Sequence, residues 1–250
     1  MSKNRCSIGI IGFGRMGKLL CYYLSRHFDV YVAEEESKQL DSEIIAQNAL
    51  PASFQDVCQK DIIIPAVPIS QFEQVIEQMS FYLNPDATVI DLCSVKIFPI
   101  SVMERLLPPT VNILGTHPMF GPDSAAHTLN GSKIVLCKVR IKEDIFKEII
   151  QYLEKIKLQI IETTPDNHDR EIAETLSFTH FLGRSLMRFG LDDYPIDTMG
   201  YQRLHKILLT VQNDSWQLFN DMIKYNKYAE STIQRFIHAM NQTAKQVDIE

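Results

Sequence analysis

Short apolar runs alternate with helical patterns through the first two thirds of the chain. Residues 7–12 (SIGIIG), 29–34 (DVYVAE), 61–67 (DIIIPAV), 88–93 (TVIDLC), 111–116 (VNILGT), 133–139 (KIVLCKV) and 159–163 (QIIET) read as strands. The intervening segments 15–27, 37–48, 70–83 and 143–157 place apolar residues at helical spacing, and another helix with Pro99 near its first turn runs to about Leu107. Ser70 is the expected N-cap of the third of these, and Pro65 argues against regular strand pairing around it. Strand and helix in alternation predict a mostly parallel sheet covered on both faces.

The pattern changes at TTPDNHDRE (163–171), where Thr164 and Pro165 form an N-cap and first-position pair. Beyond it no convincing strand appears. Residues 166–189, 198–223 and 226–247 read as long helices, the first carrying Ile172, Leu176, Leu182, Leu186 and Phe189 on a helical period. The expected organisation is an α/β domain over residues 1–164 and an all-helical domain over 165–250.

The first apolar run leads into Gly12-x-Gly14-x-x-Gly17 and then into a helix. That context turns a weak motif into a dinucleotide fingerprint. Gly12 permits the tight turn, Gly14 lets a pyrophosphate approach the backbone, and Gly17 lets helix and strand pack closely. The helix N-terminus supplies N–H donors to the anion, and Arg15 and Met16 fall inside the same loop. Glu34, at the end of the second strand, lies where an acid accepts from the ribose hydroxyls of NAD. A 2′-phosphate beside it would be repelled by ~1–4 kcal/mol per unit pair, and Glu35 and Glu36 follow as a solvated face. NAD is therefore expected over NADP. The fold class expected is α/β, an N-terminal doubly wound, mostly parallel sheet of the Rossmann type with a C-terminal all-helical domain.

Composition narrows the remaining classes. The 250 residues are 45% hydrophobic with a net charge of −6, enough for a sizeable core and no footprint for nucleic acid or an anionic membrane. The five cysteines are widely spaced and include no Cys-x-x-Cys, which argues against a disulfide framework or a zinc ribbon. No secretory apolar region opens the chain and no run is long enough for a membrane span, so a cytoplasmic protein is expected.

The candidate chemistry centres on LGTHPMFGPD (114–123), expected as a rigid loop after a strand, whose His117 could pack, bind a metal or move a proton. No Cys, His or acid stands near it at ligand spacing, so no metal is expected. The fingerprint, SVK after a strand (94–96), THPMFGP (116–122), HD opening a helix (168–169), THF (179–181) and an arginine at the start of the next helix appear together and in order. With these elements the chain resembles the prephenate/arogenate dehydrogenase family, and SVKIFP (94–99) with THPMFGP resembles its plant-like arogenate dehydrogenase branch.

The resemblance implies NAD(P)-dependent oxidative decarboxylation of a cyclohexadienyl acid in tyrosine biosynthesis. Hydride leaves ring C4 for the nicotinamide, the C4 hydroxyl loses its proton, and the ring carboxylate departs as CO2. It implies that His117 is the base, that Ser94 hydrogen-bonds the base and the nicotinamide end, that His180 lies in the substrate pocket and that Arg203 anchors a carboxylate. An unperturbed imidazole suits proton acceptance near neutral pH, and a guanidinium can hold a carboxylate through two parallel hydrogen bonds. Lys96 is expected to steady its loop rather than to react. Gly183, one turn after His180, would let a second helix or a ligand come close. The resemblance also implies that residues 1–164 are the dinucleotide-binding domain and 165–250 a helical substrate and dimerisation domain that forms a homodimer.

Two positions depart from the plant-like pattern. His127 stands where that branch tends to have an acidic or amide residue, and a histidine gives an ammonium no fixed counter-charge, which favours prephenate over arogenate. The triple glutamate replaces the Ser-Arg of a branch that tends to prefer NADP. The chain ends soon after its helices, so any inhibition by tyrosine is expected at the active site. Two other readings stay open: another two-domain β-hydroxyacid-type dehydrogenase, against which the absence of lysine between Asp169 and Phe189 speaks, and a non-catalytic dinucleotide-binding module.

Overall fold

The computed structural model describes residues 5–34 and 38–247. The chain divides into two compact units, Met1–Pro165 and Asp166–Glu250. In the first, eight strands form one sheet: β1 (Ser7–Ile11), β2 (Asp29–Ala33), β3 (Leu50–Pro51), β4 (Ile62–Pro65), β5 (Thr88–Asp91), β6 (Asn112–Pro118), β7 (Lys133–Arg140) and β8 (Gln159–Glu162). The order is β3-β2-β1-β4-β5-β6-β7-β8, with every pairing parallel except β6 with β7. This is the Rossmann-type topology. Strand order turns back at β1, with β2 on one side and β4 on the other, and such switch points are where doubly wound sheets bind ligands.

Six helices complete the unit: α1 (Arg15–Leu24), α2 (Lys38–Ala46), α3 (Phe54–Cys58), α4 (Ile69–Met79), α5 (Ile97–Leu106) and α6 (Glu143–Lys155). The core gathers Ile10, Val30, Val32 and Ile44 in one cluster, and Leu19, Leu114, Leu136 and Phe146 in another. Both are fed by strands apolar on successive residues, as a sheet covered on two faces requires. Pro65 is tolerated because it closes its strand: it pairs with Ile11 at the end of the β1–β4 ladder, and the next amide, of Ala66, donates to the Ile11 carbonyl at 2.7 Å. Helix α4 starts one residue earlier than expected, with Pro68 rather than Ser70 at the cap.

Three elements differ from those expected. Strand β3 and helix α3 were not expected, being too short for any period to show. Ser53 caps α3 by accepting from the Asp56 amide at 3.1 Å. Strand β6 runs on through His117 to Pro118, because antiparallel β7 pairs that stretch in the register Thr116↔Leu136, His117↔Val135, Pro118↔Ile134. The segment expected as a loop is therefore sheet as far as Pro118.

The second unit is helical: α7 (Pro165–Ile172), a π-helical turn Ala173–Ser177, α8 (Phe178–Phe189), α9 (Met199–Val211), α10 (Trp216–Lys224) and α11 (Ala229–Gln246). The helix expected over 198–223 is two, because Ser215 caps α10 by accepting from the Leu218 amide at 3.1 Å. Carbonyls exposed at that break are taken up by Arg184, whose Nη2 donates to Asp214 and, at 3.1 Å, to Ser215, while its guanidinium lies 4.5 Å from the Trp216 ring. Helix α8 ends at Gly190, which adopts φ +81° as a left-handed cap. Gly183 receives α9: a Cβ there would stand 2.6 Å from the Val211 side chain.

At Gly17 a Cβ would lie 2.1 Å from the carbonyl oxygen of Gly12, a backbone atom with no freedom to yield. Gly17→Ala is expected to destabilise the chain by about 1–3 kcal/mol. The check is urea unfolding, with a lower midpoint and an unchanged slope.

Candidate active site

Loop 12–14 joins β1 to α1 at the switch point. Gly12 has φ +102°, and a Cβ on it would come within 2.6 Å of the Ala66 carbonyl oxygen, so only glycine fits. Gly14 is different, since a Cβ there would meet nothing within 4 Å. It caps α1 without any side-chain hydrogen bond. A bare helix N-terminus facing open space is what a pyrophosphate needs, so these residues fit a dinucleotide. The Phe13 amide donates to Glu34 Oε2 at 2.5 Å, which ties the acid at the end of β2 to the same loop. Glu35 and Glu36 lie outside the described residues.

Arg15, the first residue of α1, pairs with Asp123 at 2.5 Å. The Tyr23 hydroxyl donates to the Ala125 carbonyl at 2.7 Å. Both contacts fasten the loop that follows β6 to the fingerprint helix. Met16 packs beside the Leu114 cluster, and His127 is exposed on the fastened loop.

The imidazole of His117 is buried, at 6% exposure, on the last turn of the ladder before that loop. It stands at the carboxyl end of β6, the same edge of the parallel strands from which the fingerprint loop leaves β1. Ser94 is half-buried in the bend between β5 and α5. At the end of β5 lies a buried ion pair. Lys96 and Asp91 are both wholly buried and bonded to one another, and Lys96 Nζ also donates to the Thr116 carbonyl at 2.6 Å. The Cys93 amide donates to Asp91 Oδ1 at 2.9 Å and Thr116 Oγ1 to the Asp91 carbonyl at 2.7 Å. Burial pushes the Asp91 carboxyl up, against the pull of the Lys96 ammonium. The available signal was an acid inside an apolar strand, TVIDLC, with a lysine five residues on.

A cavity of about 750 Å³ lies between α1 and α6 and reaches Met16, Thr116 and Pro118. Its lining is mainly apolar, including Leu20, Leu24, Ile90, Leu92 and Ile149, and it contains neither the three fingerprint glycines nor His117. Among the described residues no group of three or more His, Cys, Asp and Glu is arranged to hold a metal ion, and no helix is long and apolar enough to cross a membrane.

In the helical unit His180 is buried on α8, with Nε2 3.7 Å from Asp214 Oδ2 and Nδ1 without a hydrogen-bond partner among the described residues. Asp214, in the break between α9 and α10, is a neighbour the sequence did not flag. Burial lowers the His180 pKa, Asp214 opposes that shift and Arg184 adds to it. Arg203 is exposed on α9, and His168 pairs with Asp169 at 2.8 Å in a buried contact whose backbone is held by Asn226. The structure thus groups the fingerprint, Glu34, Ser94 and His117 on one unit and His180 and Arg203 on the other.

Residues 25–162 match the family described as "Prephenate dehydrogenase, nucleotide-binding domain", and residues 185–249 match "TYRAAT1-like, C-terminal domain". The chain is similar to Arogenate dehydrogenase 2, chloroplastic, of Arabidopsis thaliana, 30% identical over 252 residues, covering 96% of this chain and 69% of that protein. It is 30% identical to Arogenate dehydrogenase 1, chloroplastic, of the same plant, over 93% of this chain but 38% of that longer protein. Among solved structures it is similar to a prephenate dehydrogenase from A. aeolicus in complex with hydroxyphenyl propionate and NAD+, with a TM-score of 0.77, 18% identity and coverage of 99% and 92% of the two chains.

The His180 shift has a measurable consequence. The unfolded chain takes up a proton near the ordinary value of 6.5 that the folded chain resists. Stability contributed by the neutral imidazole is therefore full above that pH and is lost as pH falls below it. Urea unfolding at pH 7 and pH 5 should show the loss, and His180→Gln should flatten the slope.

Proposed function

The chain belongs to the prephenate/arogenate dehydrogenase family, on its plant-like branch, and from that footing we propose a mechanism, a cofactor preference and a substrate preference. Family members carry out nicotinamide-dependent oxidative decarboxylation in tyrosine biosynthesis, and the nicotinamide, when bound, supplies the hydride acceptor. The observation that carries the mechanism is the position of His117: a buried imidazole on a ladder-held strand, at the same edge of the sheet as the fingerprint loop.

In this reading His117 takes the proton of the ring C4 hydroxyl as hydride leaves C4. The bond from the ring to its carboxylate then breaks, CO2 departs, and the bonding pair enters the ring and aromatises it. The C4 oxygen takes a proton back and ends as a phenol. Ser94 hydrogen-bonds the base and helps hold the nicotinamide end. Arg203 anchors a carboxylate of the substrate, and its exposure leaves the guanidinium accessible. His180, kept neutral by burial, is a substrate-pocket donor or acceptor rather than a charge. His127, on the loop fastened by Arg15, contacts the substrate side chain, where the absence of a fixed negative charge favours the keto acid, prephenate, over the amino acid, arogenate.

Gly12, Gly14, Arg15, Met16 and Gly17 hold the dinucleotide, and Glu34 accepts from the adenosine ribose. A 2′-phosphate in its place would meet the carboxylate, so NAD is preferred over NADP. The exposed apolar residues of the helical unit, among them Ile196, Met199 and Trp216, support a homodimer formed through it. None of the five cysteines forms a disulfide, which suits the reducing cytoplasm.

The experiment is a matrix of prephenate and arogenate against NAD and NADP, following reduced nicotinamide. Turnover should be highest with prephenate and NAD. His117→Asn should lower kcat by about 10²–10⁴, and an unchanged kcat removes the base from this residue. Glu34→Ser should raise the NADP-to-NAD ratio of kcat/KM by about tenfold, the effect of ~1.4 kcal/mol; a constant ratio places cofactor discrimination elsewhere.

A further inference from the structure

One peptide unit connects the buried ion pair to the proposed base. The carbonyl that Lys96 Nζ grips at 2.6 Å is that of Thr116, and the same planar peptide carries the N–H of His117. Asp91, which holds the ammonium, ends β5, and its register partner across the ladder is Gly115. A second hydrogen bond, from Thr116 Oγ1 to the Asp91 carbonyl at 2.7 Å, fixes the same peptide's residue from its side chain. On the opposite edge of β6 the register His117↔Val135 continues the sheet. The peptide entering His117 is thus clamped on both sides, on one of them by a charge.

Burial makes that clamp informative. Both side chains are fully removed from solvent, and Asp91 Oδ2 has no hydrogen-bond partner among the described residues. An apolar pair of similar volume would fill the same space and is often no less stable than a buried ion pair. What apolar side chains could not do is grip a carbonyl. Resting on the reading of His117 as base, we propose that Lys96 is a positioning residue for it: the ammonium, held by Asp91, fixes the plane of the Thr116–His117 peptide and so the direction in which the imidazole leaves the strand. Lys96 contacts neither substrate nor cofactor in this role. Its effect falls on the orientation of the base, and small misplacements of a reacting group can cost as much as ~10²-fold in rate.

Two variants of the full chain test it. Lys96→Met alone leaves a buried carboxylate without its partner and is expected to lower stability. The double variant Asp91→Asn with Lys96→Met removes both charges, retains an amide oxygen for the Cys93 amide, and is expected to unfold at a higher urea concentration than Lys96→Met. In the double variant, amide exchange over residues 115–117 should speed up by about tenfold relative to the rest of the sheet, with no ligand present. With prephenate and NAD, kcat should fall by about 10–100-fold while both KM values stay within about threefold. Recovery of kcat together with stability would make the pair purely structural and overturn the proposal. A raised KM with normal kcat would do so as well, by placing Lys96 on the substrate. Unchanged exchange over 115–117 overturns it without reference to turnover. His117→Asn, run alongside, judges the base itself, so failure of that reading and failure of the clamp give different results.

Discussion

Two opposite charges sealed away from water hold the carboxyl edge of the central strands. Removing an ammonium or a carboxylate from solvent costs several kcal/mol per ion, and only close contact between them offsets it. Lys96 and Asp91 meet that condition at the point where β5 ends and β6 approaches its own end. The consequence is an all-or-none joint, since neither charge can leave without stranding the other. On the frame so fixed, β6 carries His117, the bend after β5 carries Ser94, and the β1–α1 turn leaves from the same edge. The helices and the remaining strands supply burial. This joint supplies direction.

Much of the first unit could be read from residue order. The run-and-helix alternation, the glycine spacing and Glu34 all correspond to observed strand ends and turns, because strands buried on both faces leave a continuous apolar signature. What could not be read depended on partners distant in sequence. His117 looked like a loop residue because prolines and glycines surround it, yet β7, sixteen to twenty residues later, extends the ladder over it. Asp123 and Asp214 gave no local signal, and their partners Arg15 and His180 lie 108 and 34 positions earlier in the chain. The break after α9 was hidden for the same reason: apolar spacing runs across it, while its cause is a serine cap and an arginine from another helix.

The helical unit solves its polar problems by a different device. Asp166, at the start of α7, accepts from Arg170, Lys227 and Tyr228, and this set holds its carboxyl well below the usual range. Arg235 and Thr232 of α11 meet Glu174 in the π-helical turn. The wider turn displaces the side chains that follow it relative to a regular helix, and π-turns of this kind occur often at functional positions. His180 follows within the next turn of α8. The similarity to one plant relative covers 96% of the chain and so takes in both this unit and the nucleotide unit.

The thiols carry a practical consequence. Burial pushes Cys6 up to about 11 and Cys21 and Cys58 to about 12, with Cys93 also well above the ordinary value. Thiolate is the reactive form, and at neutral pH these side chains hold almost none of it. A cysteine engineered onto an exposed helix would therefore outcompete these four for a maleimide dye. Site-selective labelling for fluorescence or distance measurements could then proceed with those native sulfurs left in place.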